Sequence, residues 1–337
     1  MKQSARAWTS VASFVALLLG ACTSGPTVSL ERSGKPLLVR HPALYPETIQ
    51  YDAQRRSFVI GSFREGAIYR IDDAGGVRRL VDDPRLCSVL GLALEPERGR
   101  LWAVNSDLGA SLKPSAAGPK RLAAVGVYDL GTGEAVDYVD LATLLPGPHL
   151  LNGLALDAAG NAYITDSFAP AIYKIDEQRR ASVFLQDSQF AGEGINLNGL
   201  VSHPGGYLLV VKKSDGALFK VPLRDPSSFS RVHVPARLIG GDGVTLLGEK
   251  DLLVVANKTP AASANSVSWL TSDDDWASAK VRAAQPLGDR YPTTAVLRDR
   301  DIFVVSSQLN ELIQAPAEQK PRLAAEATIE QVGRVTR

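Results

Sequence analysis

Three phrases of the chain are built to one pattern. Asn152-Gly153-Leu154, Asn198-Gly199-Leu200 and Asp242-Gly243-Val244 each set an oxygen-bearing side chain and a glycine at the start of an aliphatic run. Each run passes through a polar turn into a second aliphatic run. The turns are Asp157-Ala158-Ala159-Gly160, His203-Pro204-Gly205-Gly206 and Gly248-Glu249-Lys250. A lone Asn-Gly or Asp-Gly is a turn signal. Three in register, each preceding a strand rather than joining two, point to ligands instead. Weaker copies begin at Glu47, Leu90 and Thr293.

Taken as equivalent, positions 47, 90, 152, 198, 242 and 293 are separated by steps of 43, 62, 46, 44 and 51 residues. Propeller repeats run about 40–50 residues, with four strands each. Only the step of 62 needs an insertion, and residues 108–122, rich in Ser, Pro, Gly and Lys, supply it. That loop reads equally as a lid or as a surface excursion. The expected fold is all-β, a six-bladed β-propeller forming one domain over residues 35–337. The blades begin at Glu47, Val89, Leu150, Leu197, Asp242 and Thr293. Two further strands, Pro36 to Arg40 and Ala327 to Val332, are placed to close the ring and abolish its free edges. Helical periodicity is nearly absent; only residues 143–145 and the stretch from Glu318 onward would tolerate a turn or two.

Equivalent positions on a ring of like blades converge at its axis. Of the six, Glu47, Asn152, Asn198 and Asp242 carry carboxylate or amide oxygen, and none carries sulfur or imidazole. Such hard donors suit Ca²⁺, or another hard divalent cation, over Zn²⁺ or Cu²⁺. Ca²⁺ takes about 6–8 oxygens, so positions would remain for water or substrate. Gly153, Gly199 and Gly243 lack a Cβ and would let the strands crowd at the axis.

Pro46-Glu47-Thr48, Asn152-Gly153-Leu154, Asn198-Gly199-Leu200 and Asp242-Gly243-Val244 together resemble the SMP-30/gluconolactonase/LRE-like family of six-bladed propellers, over about residues 45–310. The resemblance implies a calcium-dependent hydrolase of a lactone or related ester, acting on a small molecule at the mouth of the central channel. It implies Glu47, Asn198 and Asp242 as metal ligands and Asn152 as a contact to metal or substrate. In that reading the cation polarises the carbonyl, and Asp242 or a nearby group deprotonates the attacking water. Leu150 stands where sugar-lactone members carry an Arg, so a less polar substrate is expected. The stretch from Gly126-Val127-Tyr128-Asp129 through Thr165-Asp166-Ser167 also resembles the yellow/royal-jelly propellers. The alternative is therefore a non-catalytic, metal-stabilised binding or scaffold propeller of that kind or an NHL-like one.

Other residues carry less. His149, three residues before Asn152, is either a proton carrier at the mouth or a loop histidine without a role. Asp107 and Asp166 read as turn caps. Cys87 reads as a buried apolar residue. No Gly-x-Ser-x-Gly elbow or His-Glu-x-x-His helix is present, so serine-hydrolase and zincin chemistry find no support. A net charge of +1 and the lack of basic runs argue against nucleic-acid binding. Residues 1–21 read as a lipoprotein signal peptide: Lys2 and Arg6 precede an apolar run from Val11 to Leu19, and Leu19-Gly20-Ala21-Cys22 resembles a lipobox. Cys22 is the expected lipidation site, residues 22–34 a flexible tether, and the lipid the sole membrane contact. A bacterial cell-envelope location, at the outer membrane facing the periplasm, and a monomeric state are expected.

Overall fold

The computed structural model describes residues 27–316, 319–320 and 326–336. The leader and Cys22 lie outside the described residues. Among these, 25 strands form six antiparallel sheets. Blade one is Pro46–Asp52, Ser57–Ser62, Ile68–Ile71 and Val77–Val81. Blade two is Ser88–Glu95, Arg100–Ser106, Ala123–Asp129 and Ala135–Asp140. Blade three is Leu151–Leu156, Ala162–Asp166, Ala171–Ile175 and Ala181–Gln186. Blade four is Leu197–His203, Tyr207–Lys212, Ala217–Pro222 and the two-residue Ser230–Arg231. Blade five is Gly241–Gly248, Asp251–Ala256, Ser266–Thr271 and Lys280–Pro286. Blade six takes Tyr291–Arg298, Asp301–Ser307 and Glu326–Thr336 from the C-terminal end, and Ser33–Arg40 and Thr27–Ser29 from the N-terminal end. The six-bladed β-propeller read from the repeats is the fold observed.

Burial explains the strand compositions. The second strands Ser57–Ser62, Tyr207–Lys212 and Asp251–Ala256 are buried at every residue, because neighbouring blades cover both their faces. Outer strands such as Lys280–Pro286 alternate between exposed and half-buried. The core is accordingly a set of layers between blades: Trp102, Val104, Val127, Leu154, Ile164 and Tyr173, for example, fill the space between blades two and three.

Closure extends further than expected. Leu37–Arg40 pair with residues 326–329, but Thr27–Ser29 also pair with residues 334–336. Residues 27–34 therefore belong to the ring and are not a free tether. The long C-terminal strand would otherwise show an unpaired edge, and two N-terminal segments cover it in turn. The sequence reading also missed a helix, Leu309–Gln314, which follows the second strand of blade six and buries Leu309 and Leu312.

Each innermost strand touches those of both neighbouring blades, and that of blade six touches that of blade one. The glycines make this approach feasible. An ideal Cβ on Gly153 would lie 2.5 Å from the Asn198 carbonyl oxygen and 2.8 Å from Leu200 Cδ2. Gly91, Gly199 and Gly243 likewise face the carbonyls of Asn152, Asp242 and Thr293. At Thr294, where the glycine is missing, the hydroxyl donates to the Glu47 carbonyl at 3.0 Å. Gly153→Ala should therefore destabilise the protein by about 1–3 kcal/mol, the usual cost of overpacking. Gly248→Ala, whose Cβ would meet nothing within 4 Å, should change stability far less. Urea unfolding of both variants checks this contrast.

Candidate functional site

The six predicted ring positions share one local device. In every blade the pairing of the first and second strands shifts register at that point, between residues 46 and 48, 89 and 92, 151 and 154, 197 and 200, 241 and 244, and 292 and 294. Each shift is a bulge, which re-aims a side chain out of the regular alternation. Glu47, Asn152, Asn198 and Asp242 all line one channel cavity of about 320 Å³. Thr293 is fully buried, its hydroxyl oxygen without a partner among the described residues.

A second ring was not anticipated. At the last residue of the second strands or one residue past it, Ser106, Ser167, Asn257 and Ser307 each bond the backbone of the next blade's first strand. Ser106 and Ser167 donate to the carbonyls of Leu151 and Leu197 at 3.2 and 2.6 Å. Asn257 donates to Pro292 at 3.2 Å and Ser307 to Pro46 at 3.4 Å. Ser167 also accepts from Asn152 Nδ2 at 3.2 Å. In blade four this position is Lys213. Its ammonium reaches past the backbone to the side chain of Asp242, donating to Oδ2 at 2.9 Å, and to the Tyr291 hydroxyl at 3.3 Å. Asn257 Nδ2 donates to the same Asp242 oxygen. The signal was present in the sequence: Lys213 is the one cation in a series otherwise of Ser, Asn and Phe63. It becomes legible only once the strands are in register.

Lys213, Asp242 and Glu47 are 7%, 2% and 7% exposed. Burial raises the Glu47 carboxyl well above its ordinary value, and the charge of the neighbouring Asp242 adds to this while Lys213 opposes it. Burial and the Asp242 charge therefore favour the protonated form of Glu47. Burial pulls on the Lys213 ammonium in the discharging direction, but the charge of Asp242 and the bonds to Asp242 and Tyr291 outweigh it, leaving Lys213 above the usual lysine value. Burial, foremost, also raises the Tyr291 hydroxyl. Lys213 and Asp242 thus form a buried ion pair, with Glu47 beside Asp242.

Two cavities meet at this cluster without sharing a lining residue. The channel cavity runs from the ring of oxygens down to Leu94, Leu156 and Leu246. A larger one, about 1050 Å³, lies over the mouth and is lined by Ile195, Lys213, Ser214, Lys258 and Tyr291 among others. Lys213 and Tyr291 face the outer cavity, and Asp242 and Glu47 face the channel.

The oxygen donors read from the repeats do converge, and their chemistry suits a hard cation. The arrangement nevertheless does not fit a divalent ion, because Asp242 Oδ2 is already capped by an ammonium and an amide N–H. No group of three or more His, Cys, Asp or Glu able to hold a metal occurs among the described residues.

His149 does not reach the mouth. It is 2% exposed, with Nδ1 2.7 Å from Asp166 Oδ2 and Nε2 3.0 Å from the Leu145 carbonyl. It lines neither cavity, so the proton-carrier reading is corrected to a structural clamp. Asp166 is the cap expected, its Oδ1 accepting from the amides of Leu150, Phe168 and Ala169. Asp107 caps the start of the 108–122 insertion through Gly109 and Ser115. Leu150 is buried in the layer between blades two and three and faces no cavity, which removes the basis for reading substrate polarity from it. Cys87 is a buried free thiol, pushed up to about 11 by burial and so protonated at neutral pH.

Fold and axial ring together define a six-bladed β-propeller with a small-molecule-sized cavity over its channel. No family model matches the sequence, and no curated protein sequence does. Solved structures match in shape. The allergen Mala s 1 of Malassezia sympodialis superposes with a TM-score of 0.69 at 17% identity, over 88% of this chain and 96% of that one. Regucalcin from Agrobacterium tumefaciens, a calcium-binding protein, gives 0.61 at 15% identity, over 91% and 96%. A putative gluconolactonase gives 0.58 at 14% identity, over 92% and 100%. At these identities the likeness establishes the fold. The expected resemblance to gluconolactonase-like propellers is thus met at the level of architecture.

The His149 clamp has a signed consequence. Its bond to Asp166 raises the imidazole above the ordinary histidine value. A raised folded value means the stabilisation is complete below about pH 6.5 and is lost as pH rises through the folded value. The stability gap between native protein and His149→Gln should be widest near about pH 5.5 and narrower near about pH 9. Urea midpoints at the two pH values decide it; a gap that widens with pH would contradict the clamp.

Proposed function

We propose that this propeller takes a small lactone or related ester into the cavity over the channel mouth and hydrolyses it there. The observation that carries the reading is the Lys213–Asp242–Glu47 cluster. Three ionisable groups are buried together between two cavities, and burial pushes the Glu47 carboxyl well above its ordinary value. Buried, perturbed groups of this kind concentrate at functional sites. The Lys213 ammonium and Tyr291 hydroxyl are donors facing the cavity, placed to stabilise negative charge developing on a substrate carbonyl oxygen. Asp242, bonded to Lys213, is assigned as the base for the attacking water, and Glu47, whose protonated form burial favours, as the acid for the leaving group. Calcium dependence, which the sequence resemblance implies, is the part of that reading the geometry weighs against, and no step here runs through a metal.

A second reading, a binding propeller without turnover, is favoured by one observation: Asp242 and Glu47 do not line the outer cavity. A panel of lactones, aryl esters and organophosphates separates the two. Hydrolysis of at least one class is expected, with Asp242→Asn lowering kcat by about 100-fold or more. Thermal stabilisation by panel compounds with no turnover would assign the protein to binding alone.

We also propose that Cys22 carries lipid and tethers the propeller to a membrane of the cell envelope. The support is Leu19-Gly20-Ala21-Cys22 at the end of the apolar leader run. Intact mass of membrane-extracted protein should show acyl chains on a chain beginning at Cys22; a soluble mature form beginning elsewhere would refute it.

A further inference from the structure

We infer that Lys213 is the resident cation of the axial ring: its ammonium stands on Asp242 where a divalent ion would bind, so the native protein has no divalent-cation site there, and a neutral side chain at 213 creates one. The inference rests on the geometry of the ring and stands whether or not the protein turns anything over.

Three features carry it. The first is position. Of the second-ring residues described above, four satisfy backbone carbonyls of the next blade, and Lys213 alone bonds a ring side chain of the next blade. Its Nζ lies 2.9 Å from Asp242 Oδ2, nine-tenths buried and braced by the Tyr291 hydroxyl at 3.3 Å, with the Tyr291 ring centroid 5.4 Å away. A lysine is a compact point charge with three donors, the side chain closest in form to a bound monovalent ion.

The second is charge. Lys213 already pairs with Asp242 at 2.9 Å, so a divalent ion placed there would stand against a fixed ammonium on its own ligand, in a site nearly closed to water. Uncompensated charge in such a place is strongly unfavourable. The third is donor direction. Asp242 Oδ2 receives the Lys213 ammonium and the Asn257 amide N–H, so the positive ends of two groups point at the place a metal would need.

With the ammonium removed, the balance reverses. Oxygens of Glu47, Asn152, Asn198 and Asp242 remain around one cavity, and Asn257 adds a buried Oδ1 with no partner among the described residues. Two carboxyls without a counter-ion, set among amide oxygens, form a donor set for a hard divalent ion.

The test is calcium titration of the full-length chelator-treated protein and its Lys213→Met variant, by calorimetry and by melting temperature. The native protein should show no heat of binding and no calcium-dependent change in melting. Lys213→Met should melt lower than the native protein without calcium. Calcium should raise its melting temperature by several degrees, and a chelator should reverse the rise. Its affinity should exceed the native protein's by about tenfold or more. The double variant Lys213→Met, Asp242→Asn should lose the calcium response, which ties the new site to Asp242. Binding of calcium by the native protein at a single site abolished by Asp242→Asn would overturn the inference. A folded Lys213→Met protein indifferent to calcium would overturn it equally. If Lys213→Met does not fold, the native titration and its Asp242→Asn control still decide the first half, and Lys213→Gln takes the variant's place for the second. Because every readout is binding or melting, failure of the hydrolase reading would leave these results unchanged.

Discussion

The structure depends on six first strands meeting at one axis. Backbones from adjacent blades approach until a carbonyl of one faces the α-carbon of the next, and at four of the six contacts the residue facing it is a glycine: Gly91, Gly153, Gly199 and Gly243. The same crowding prevents the strands from pairing regularly there. Each carries a bulge at its start, and each bulge turns one side chain away from the blade's own layers. Closing the ring and building the site are therefore one event. The side chain at 47, 152, 198 or 242 faces the channel because the strand must yield at that point to fit beside its neighbours.

What those side chains can do is then decided by charge. Burying two carboxylates at an axis is costly unless something neutralises them. This chain uses two means: burial and the Asp242 charge favour a proton on Glu47, and Lys213 pairs with Asp242. Removing one partner of a buried pair usually costs about 3–5 kcal/mol, whereas the intact pair contributes little net stability. Such a pair is a poor device for holding a propeller together, since the closing strands and the apolar layers between blades already do that. It lies instead beneath the outer cavity, which Lys213 lines.

The elements around the mouth divide the work. Rigid blades hold the ring of oxygens, while the loops that follow second strands and join blades, together with the helix Leu309–Gln314, wall the outer cavity. Lys213 and Tyr291 sit between, one at a strand end and the other at a strand start. The outer cavity is lined by Lys213 and Tyr291, and also by Glu193 and Asp215, whereas Asp242 and Glu47 line the channel beneath.

The sequence alone determined the fold, the number of blades and the four oxygen-bearing ring residues. It could do so because the strand–turn–strand phrase recurs with a period, and equivalent positions on a closed ring must converge. It also determined the glycine positions, since a missing Cβ eases that convergence at four of the six contacts. It did not determine Lys213, Tyr291 or Asn257 as neighbours of Asp242. Their sequence separations from it vary, and their contact depends on strand register between blades, which no local pattern encodes. The same limit applies to His149, whose nearness to Asn152 in sequence suggested the mouth, while Asp166, across the hairpin, holds its ring away from the channel. Residue types and spacing named the donors, but only the packing of one blade on the next decided which cation they hold.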